Sequence, residues 1–203
     1  MEGIEMNERR AETSVPLLPL LADRWSPVVF SSRPVEPKKL RAVLEAARWA
    51  MSSFNEQPWR YIVARQEDTE DFGRLASLLV EGNAWARHAP VLMLSVARMN
   101  FSHNEKPNRH TLHDVGAASA LLTVQAMALG LHVHQMAGFD AERARVLLEL
   151  PAGFEPVAMM ALGYHDPEGD APSAWRERES KPRQRRPLES LSFRGRWGVP
   201  LFG

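Results

Sequence analysis

The stretch Met51–Ala64, MSSFNEQPWRYIVA, decides how this chain is read. Ahead of it, from Pro37 onward, Leu40, Val43, Leu44, Ala47, Ala50 and Met51 recur at helical spacing and predict an amphipathic helix. At its far end RYIVARQ reads as a strand. Between them, two serines, an asparagine, a glutamine, Pro58 and Trp59 fill an elbow that a glycine and a turn would suffice to make. The end of a helix leaves carbonyls free, and a turn just beyond it exposes N–H groups. Hydroxyls and primary amides placed there can donate and accept. They can satisfy the local backbone, with Trp59 in the core, or they can meet a flat heterocycle of alternating carbonyls and ring nitrogens. Spacing leaves both uses open.

Outward from the elbow, the pattern predicts one α+β domain over residues 14–165, after an unstructured N-terminus of residues 1–13. VPLLPLLADRW is a short apolar helix, followed by the polar, proline-bearing SPVVFSSRPVEP. TEDFGRLASLLVEGN sets Phe72, Leu75, Leu78 and Leu79 on one helix face and ends in a Gly-Asn stop. APVLMLSVA is an apolar run of strand length, so it should be buried on both faces. Residues 99–112 read as a polar surface loop or lid. DVGAASALLTVQAMALGL is apolar nearly all round, the mark of a central helix. HVHQM is a short strand, Asp140 can cap the helix AERARVLLEL, and EPVAMMALGYH is a further core strand. Residues 166–203 form an arm: a Pro-, Arg- and Glu-rich stretch without an apolar face, then LSFRGRWGVPLFG. Its tip, with Phe193, Trp197, Leu201 and Phe202, either packs on another subunit or folds back on its own domain.

Composition narrows the function classes. A chain of 203 residues, 44% hydrophobic and 25% charged, can bury one sizeable core. Its 25 Lys+Arg balance 25 Asp+Glu, so no global field points to nucleic acid or a membrane. The absence of cysteine removes disulfides, thiol nucleophiles and cysteine-based zinc sites. No apolar run approaches the ~18 residues of a membrane span, and the polar N-terminus is unlike a signal peptide, so a cytoplasmic location is expected. His103, His110 and His113 lack carboxylate or thiolate partners at ligand spacing, and no metal is expected. His132 and His134 flank a strand and read as a core or ring-edge pair. RERESKPRQRR lacks interleaved aromatics, so it reads as a solvated face more readily than as a nucleic-acid patch. There is no G-x-G-x-x-G and no P-loop pattern.

SSFNEQPW resembles the nitroreductase family of FMN-dependent oxidoreductases, in which a Pro-Ser-Ser-x-Asn-x-Gln-Pro-Trp segment joins a helix to a strand. RWSPVVFSSRPV, LGLHVHQMAGFD and PRQRRPLESLSFRGRWG are similar to three further family blocks, in the family order, from Arg24 to Gly198. The resemblance implies a central, mainly antiparallel sheet flanked by helices, in a homodimer with an exchanged C-terminal arm and two composite FMN sites. Arg24 and Ser26 match the positions that hold the FMN phosphate and ribityl chain, with Trp25 adding backbone contacts. Ser52, Ser53 and Asn55 match positions that reach the flavin from the other subunit, and Met51 replaces a proline beside the ring. Asn83 is similar to an asparagine at the pyrimidine edge. Gln135, Met136 and Gly138 match the stretch under the isoalloxazine, where an N–H near Gly138 would point at N5. Arg183 and Arg185 match the basic pair that returns to the phosphate. Val28 stands where the family usually carries a second basic residue, so an arginine there is expected to add a phosphate contact.

The implied activity takes hydride from NAD(P)H through flavin N5 to a nitroaromatic, a quinone or a similar small acceptor, in ping-pong fashion. It needs no side chain as catalytic acid or base. A member that binds FMN without efficient turnover is the alternative, motivated by Val28; nucleic-acid binding through the basic arm is the lesser one.

Overall fold

In the computed structural model, which describes residues 9–202, the run at Val91–Arg98 is the centre of the fold. It is strand β2 of four: β1 Trp59–Arg65, β2 Val91–Arg98, β3 His132–Met136 and β4 Phe154–Gly163. The order is β1-β2-β4-β3 and every pairing is antiparallel, so β1 and β3 are the edges. Val91, Met93 and Ala97 face one core layer, while Leu92, Leu94 and Val96 face the other. Covering both faces explains why β2 shows no polar alternation. The β2–β4 register shifts between Ser95 and Val96, at Pro156. Proline cannot donate to a ladder, and the Ser95 hydroxyl bonds Ala158 instead, meeting both its carbonyl and its N–H at 3.1 Å.

Among the described residues six helices surround the sheet: α1 Pro19–Asp23, α2 Pro37–Arg48, α3 Thr69–Ala76, α4 Thr111–Ala128, α5 Ala141–Leu147 and α6 Ser173–Ser180. On one face α2 and α4 pack together around Val43, Ala47, Ala118 and Leu122, with Trp59 buried beside them. On the other face lie α3, a 3-10 stretch at Glu81–His88, α5 and the segment Val28–Phe30. Asp140 caps α5 as expected, its carboxylate accepting from the Arg143 N–H at 2.9 Å. No helix of the described residues is long and apolar enough to cross a membrane.

Three features differ from the expectations. Helix α3 stops at Ala76, not at Gly82-Asn83: the Leu78 carbonyl is drawn off by the Asp140 N–H at 2.8 Å, and Asn83 belongs to the 3-10 stretch. The charge-rich stretch after β4 contains α6, whose Trp175 packs against the second core layer. The expected unstructured N-terminus lies outside the described residues over 1–8. Further on, the Ala11 N–H donates to the Ala22 carbonyl at 2.8 Å, at the end of α1.

The arm contains no buried residue from Lys181 to Phe202. Its tip closes on itself: Phe193 bridges to Pro200, and the Phe193 and Trp197 rings lie 4.7 Å apart. Trp197 stays 88% exposed, and the hydrogen bonds of residues 187–202 remain inside the arm. The tip is not packed into its own domain.

Candidate functional site

One group of residues forms at the start of the domain. Val28, Val29 and Phe30 are buried in the core, and Ser31 donates to the Tyr164 carbonyl at 2.9 Å. This anchorage presents the preceding residues at the surface. Trp25 is buried edge-on against His165 and His132, at centroid distances of 4.9 and 5.9 Å. Arg24, Ser26, Arg183 and Arg185 line one cavity of about 300 Å³. The Arg24 guanidinium reaches the Ser26 hydroxyl at 3.4 Å, and Arg183 donates to the Ala22 carbonyl at 3.0 Å. Burial, and then the charge of Arg185, lower the pKa of Arg24 from its ordinary value. Burial, and then Arg24, Arg185 and Arg9, lower that of Arg183. Asp23 offsets the gathered charge at Arg183 only in part, and a phosphate group is a ligand that suits such a cluster.

Val28 also lines that cavity, but its side chain turns into the core. The chain bends there, and the side chain is 1% exposed inside the core. An arginine at this position would have to enter the core, so the expected extra phosphate contact does not follow. Its main-chain N–H, together with that of Val29, is held by Glu179 of α6 at 2.6 and 2.8 Å.

Strand β3 runs from this group toward a second one. His134 donates from Nδ1 to the Pro27 carbonyl at 2.7 Å, which lays β3 beside the Arg24–Val28 segment. Gly138 lies four residues farther on, about 13 Å along the chain at ~3.3 Å per residue. The Asn83 amide donates to the Gly138 carbonyl at 2.9 Å. A Cβ at Gly138 would stand 2.7 Å from that amide nitrogen and 2.9 Å from Val80 Cγ2, so only glycine fits without displacement. The Gly138 N–H has no acceptor among the described residues. Gln135 turns its amide to the Thr123 hydroxyl of α4 at 3.3 Å, and Met136 packs into the core. Those two residues therefore offer backbone rather than side chain here.

The elbow is the third group. Phe54, Asn55 and Gln57 hold left-handed φ values of 54, 56 and 48°. The Ser52 hydroxyl accepts the Gln57 N–H at 3.0 Å, which is the local use. The Ser53 N–H donates to the buried Asp114 carboxylate of α4 at 2.9 Å. The Ser53 hydroxyl and the Asn55 amide have no partner among the described residues, while Met51 and Phe54 are 67% and 82% exposed. Glu56 ties the elbow to the following loop by accepting from the Ser102 N–H and hydroxyl at 2.8 and 3.0 Å.

The elbow feeds β1 and Gly138 follows β3, the opposite edges of the sheet. Three strand spacings of ~4.8 Å separate those edges by about 14 Å. One chain thus assembles Arg24, Ser26, Arg183 and Arg185 with Asn83 and Gly138 along β3, and leaves Met51–Asn55 apart. Glu179 and Asp114 brace the two parts, and sequence reasoning missed both. Asp114, an acid in the first turn of an apolar helix, gave a weak signal; Glu179 gave none. His103 faces Glu56 at 3.3 Å and His113 lies 3.1 Å from Asp114. No group of three or more His, Asp or Glu among the described residues could hold a metal.

The chain matches the model of the nitroreductase family over residues 21–82 and 73–164. A solved structure, that of an oxidoreductase containing FMN, is similar at 38% identity with a TM-score of 0.87, covering 95% of this chain and 98% of that one. By sequence, an uncharacterized 15.4 kDa protein of Mycolicibacterium smegmatis is 43% identical over 132 residues, 65% of this chain and 88% of that protein. An NADH dehydrogenase of Thermus thermophilus is 29% identical over 171 residues, 69% of this chain and 82% of that protein.

Proposed function

The chain belongs to the nitroreductase family, and from that premise we propose that it is an FMN-dependent NAD(P)H oxidoreductase acting on a small nitroaromatic or quinone acceptor. The observation that carries this reading is the run along β3, from three gathered arginines to a glycine whose N–H is unclaimed. When bound, FMN supplies the hydride chemistry that no side chain of this chain can perform. The protein binds and orients. Arg24, Arg183, Arg185 and Ser26 hold the phosphate, and Trp25 braces that segment between two histidines. Asn83 anchors the Gly138 carbonyl and with it the Gly138 Cα, which limits how the preceding peptide and its N–H can turn; a donor held there toward the ring stabilises negative charge as it develops.

Neither core histidine serves as an acid. Burial, with the charge of His165, takes His132 down to about 4, and burial lowers His134, so both are neutral near pH 7. With no dinucleotide fingerprint of its own, the chain offers donor and acceptor one shared slot, which gives ping-pong kinetics.

The elbow completes the site from a second copy. Ser53 and Asn55 bring unpaired polar groups, Met51 and Phe54 bring exposed apolar surface, and the sheet holds them too far from Gly138 to act within one chain. A homodimer with the arm exchanged also covers the exposed tip. The purified protein should be yellow and should elute at twice the 22.9 kDa chain mass. Anaerobic NADH or NADPH should bleach it, and a nitroaromatic or quinone should restore the colour. A colourless protein that takes up no FMN overturns the reading; a yellow one that no reductant bleaches is a flavin binder without turnover.

A further inference from the structure

Glu179 stands among guanidinium groups and pairs with none of them. Arg24, Arg178 and Arg183 line the same cavity, yet its ion-pair partner among the described residues is His165, whose Nε2 lies 3.0 Å from Oε2. Its Oε1 accepts two backbone N–H groups, from Val28 at 2.6 Å and Val29 at 2.8 Å. The side chain is 11% exposed. Burial raises its pKa, but the bonds from His165 and from the Val29 and Val28 N–H groups outweigh that and keep it below the ordinary carboxylate range. The carboxylate is therefore ionised and committed to the backbone, and it leaves the arginines to another anion.

Its position in the chain gives that commitment a use. Only Pro27 separates Ser26 from Val28 and Val29, whose side chains are held in the core. Helix α6 ends one residue after Glu179 and leads straight into Arg183 and Arg185. One carboxylate thus fixes the N-terminal half of the arginine cluster to the C-terminal half, across 150 residues of sequence.

We propose that Glu179 is the positioning residue of the phosphate end, and that by locking Arg24 and Ser26 against Arg183 and Arg185 it sets a preference for FMN over unphosphorylated riboflavin. The inference rests on the reading that the site binds FMN. Glu179 touches no part of the ring end, so its loss acts on the phosphate contribution alone. A residue that merely held the fold would weaken both flavins together.

The test is a fluorescence titration of FMN and of riboflavin into flavin-stripped, full-length protein. Glu179→Ala should bind FMN about tenfold more weakly and riboflavin within about twofold of the parent, one charge-assisted contact to the phosphate being lost. Glu179→Gln keeps a carbonyl oxygen for the two N–H groups and should recover most of the difference. Should Glu179→Ala not fold, Glu179→Asp, which draws the carboxylate back by one methylene, carries the same comparison. Equal weakening of both flavins, no weakening of either, or a parent without preference overturns the role of Glu179. A parent that binds neither flavin overturns the FMN reading itself, and this inference with it.

Discussion

Replacing Gly138 by alanine puts the ring end of the site to the test. The added methyl would stand 2.7 Å from Asn83 Nδ2 and 2.9 Å from Val80 Cγ2, both below any normal contact. The Asn83 amide is the more movable neighbour, and moving it breaks its 2.9 Å bond to the Gly138 carbonyl. That loss costs about 1 kcal/mol, and shifting the Val80 side chain, 45% exposed and so free to give, adds up to ~1 kcal/mol. Reduced freedom of the unfolded chain returns about 0.5 kcal/mol. The net destabilisation is about 1 kcal/mol, which for a chain of this size lowers Tm by roughly 2–4 °C. Flavin affinity should fall about tenfold, because the Gly138 carbonyl loses its anchor and the neighbouring peptide, which carries the free N–H, is freed to turn about the shared Cα. Two controls bracket the result. Gly116→Ala on α4 meets nothing within 4 Å and should stabilise by about 0.5–1 kcal/mol. Gly163→Ala would press on the rigid Pro90 ring at 2.6 Å and should destabilise further without a selective loss of flavin. Thermal melts of the apoprotein and FMN titrations of all three variants provide the comparison. If Gly138→Ala melts and binds like the parent, the Asn83–Gly138 contact is no part of the site.

Trp59→Ala should cost about 3–5 kcal/mol, since the indole is buried between α2, α4 and the sheet, whereas Asn55→Ala should keep its fold and bind FMN more weakly; urea titration with flavin binding separates them, and common unfolding would make the elbow purely structural. Val28→Arg should destabilise by several kcal/mol by burying an unpaired guanidinium; a folded variant with tighter FMN binding would return position 28 to the phosphate. His132 carries a pH dependence. The unfolded imidazole takes up its proton near pH 6.5 and the folded one only near pH 4, so the stability it contributes is complete above 6.5 and is lost as pH falls toward 4. Melting curves at several pH values across that window should be flatter for His132→Asn than for the parent, and identical slopes would show that His132 is protonated alike in both states.

The parts of the fold legible in the sequence were those whose pattern has one physical cause. An apolar run of strand length could only be a covered strand, and β2 is one; a helix apolar on every side had to lie within the protein, and α4 does. Helix α6 was hidden because its contact with the domain depends on Trp175 inside a run of charges, so no apolar period announces it. The Gly-Asn pair at 82–83 was misread because local turn chemistry cannot show that Asp140, far along the chain, has already claimed a carbonyl of the preceding turn. The expectation at Val28 came from the family resemblance, which places a second basic residue two positions after the serine and says nothing of where this side chain turns. The chain bends at Val28 and packs its side chain in the core, which a motif position does not reveal. Glu179 was beyond reach in principle, since its partners are main-chain groups some 150 residues away, and a backbone N–H leaves no mark on side-chain pattern.

Phe54 keeps an 82% exposed phenyl ring on a backbone with φ 54°, a region where a side chain bearing Cβ costs about 1–2 kcal/mol and glycine costs nothing. Position 54 therefore holds stability in reserve. In a laboratory selection for thermal resistance alone, glycine at 54 is an accessible gain, and it removes the ring that the elbow offers outward. Selection for turnover should keep the phenyl group and find its stability elsewhere in the chain. The residues that return under each regime would record, without any ligand in hand, whether this exposed side chain is an ornament of the loop or part of what the protein does.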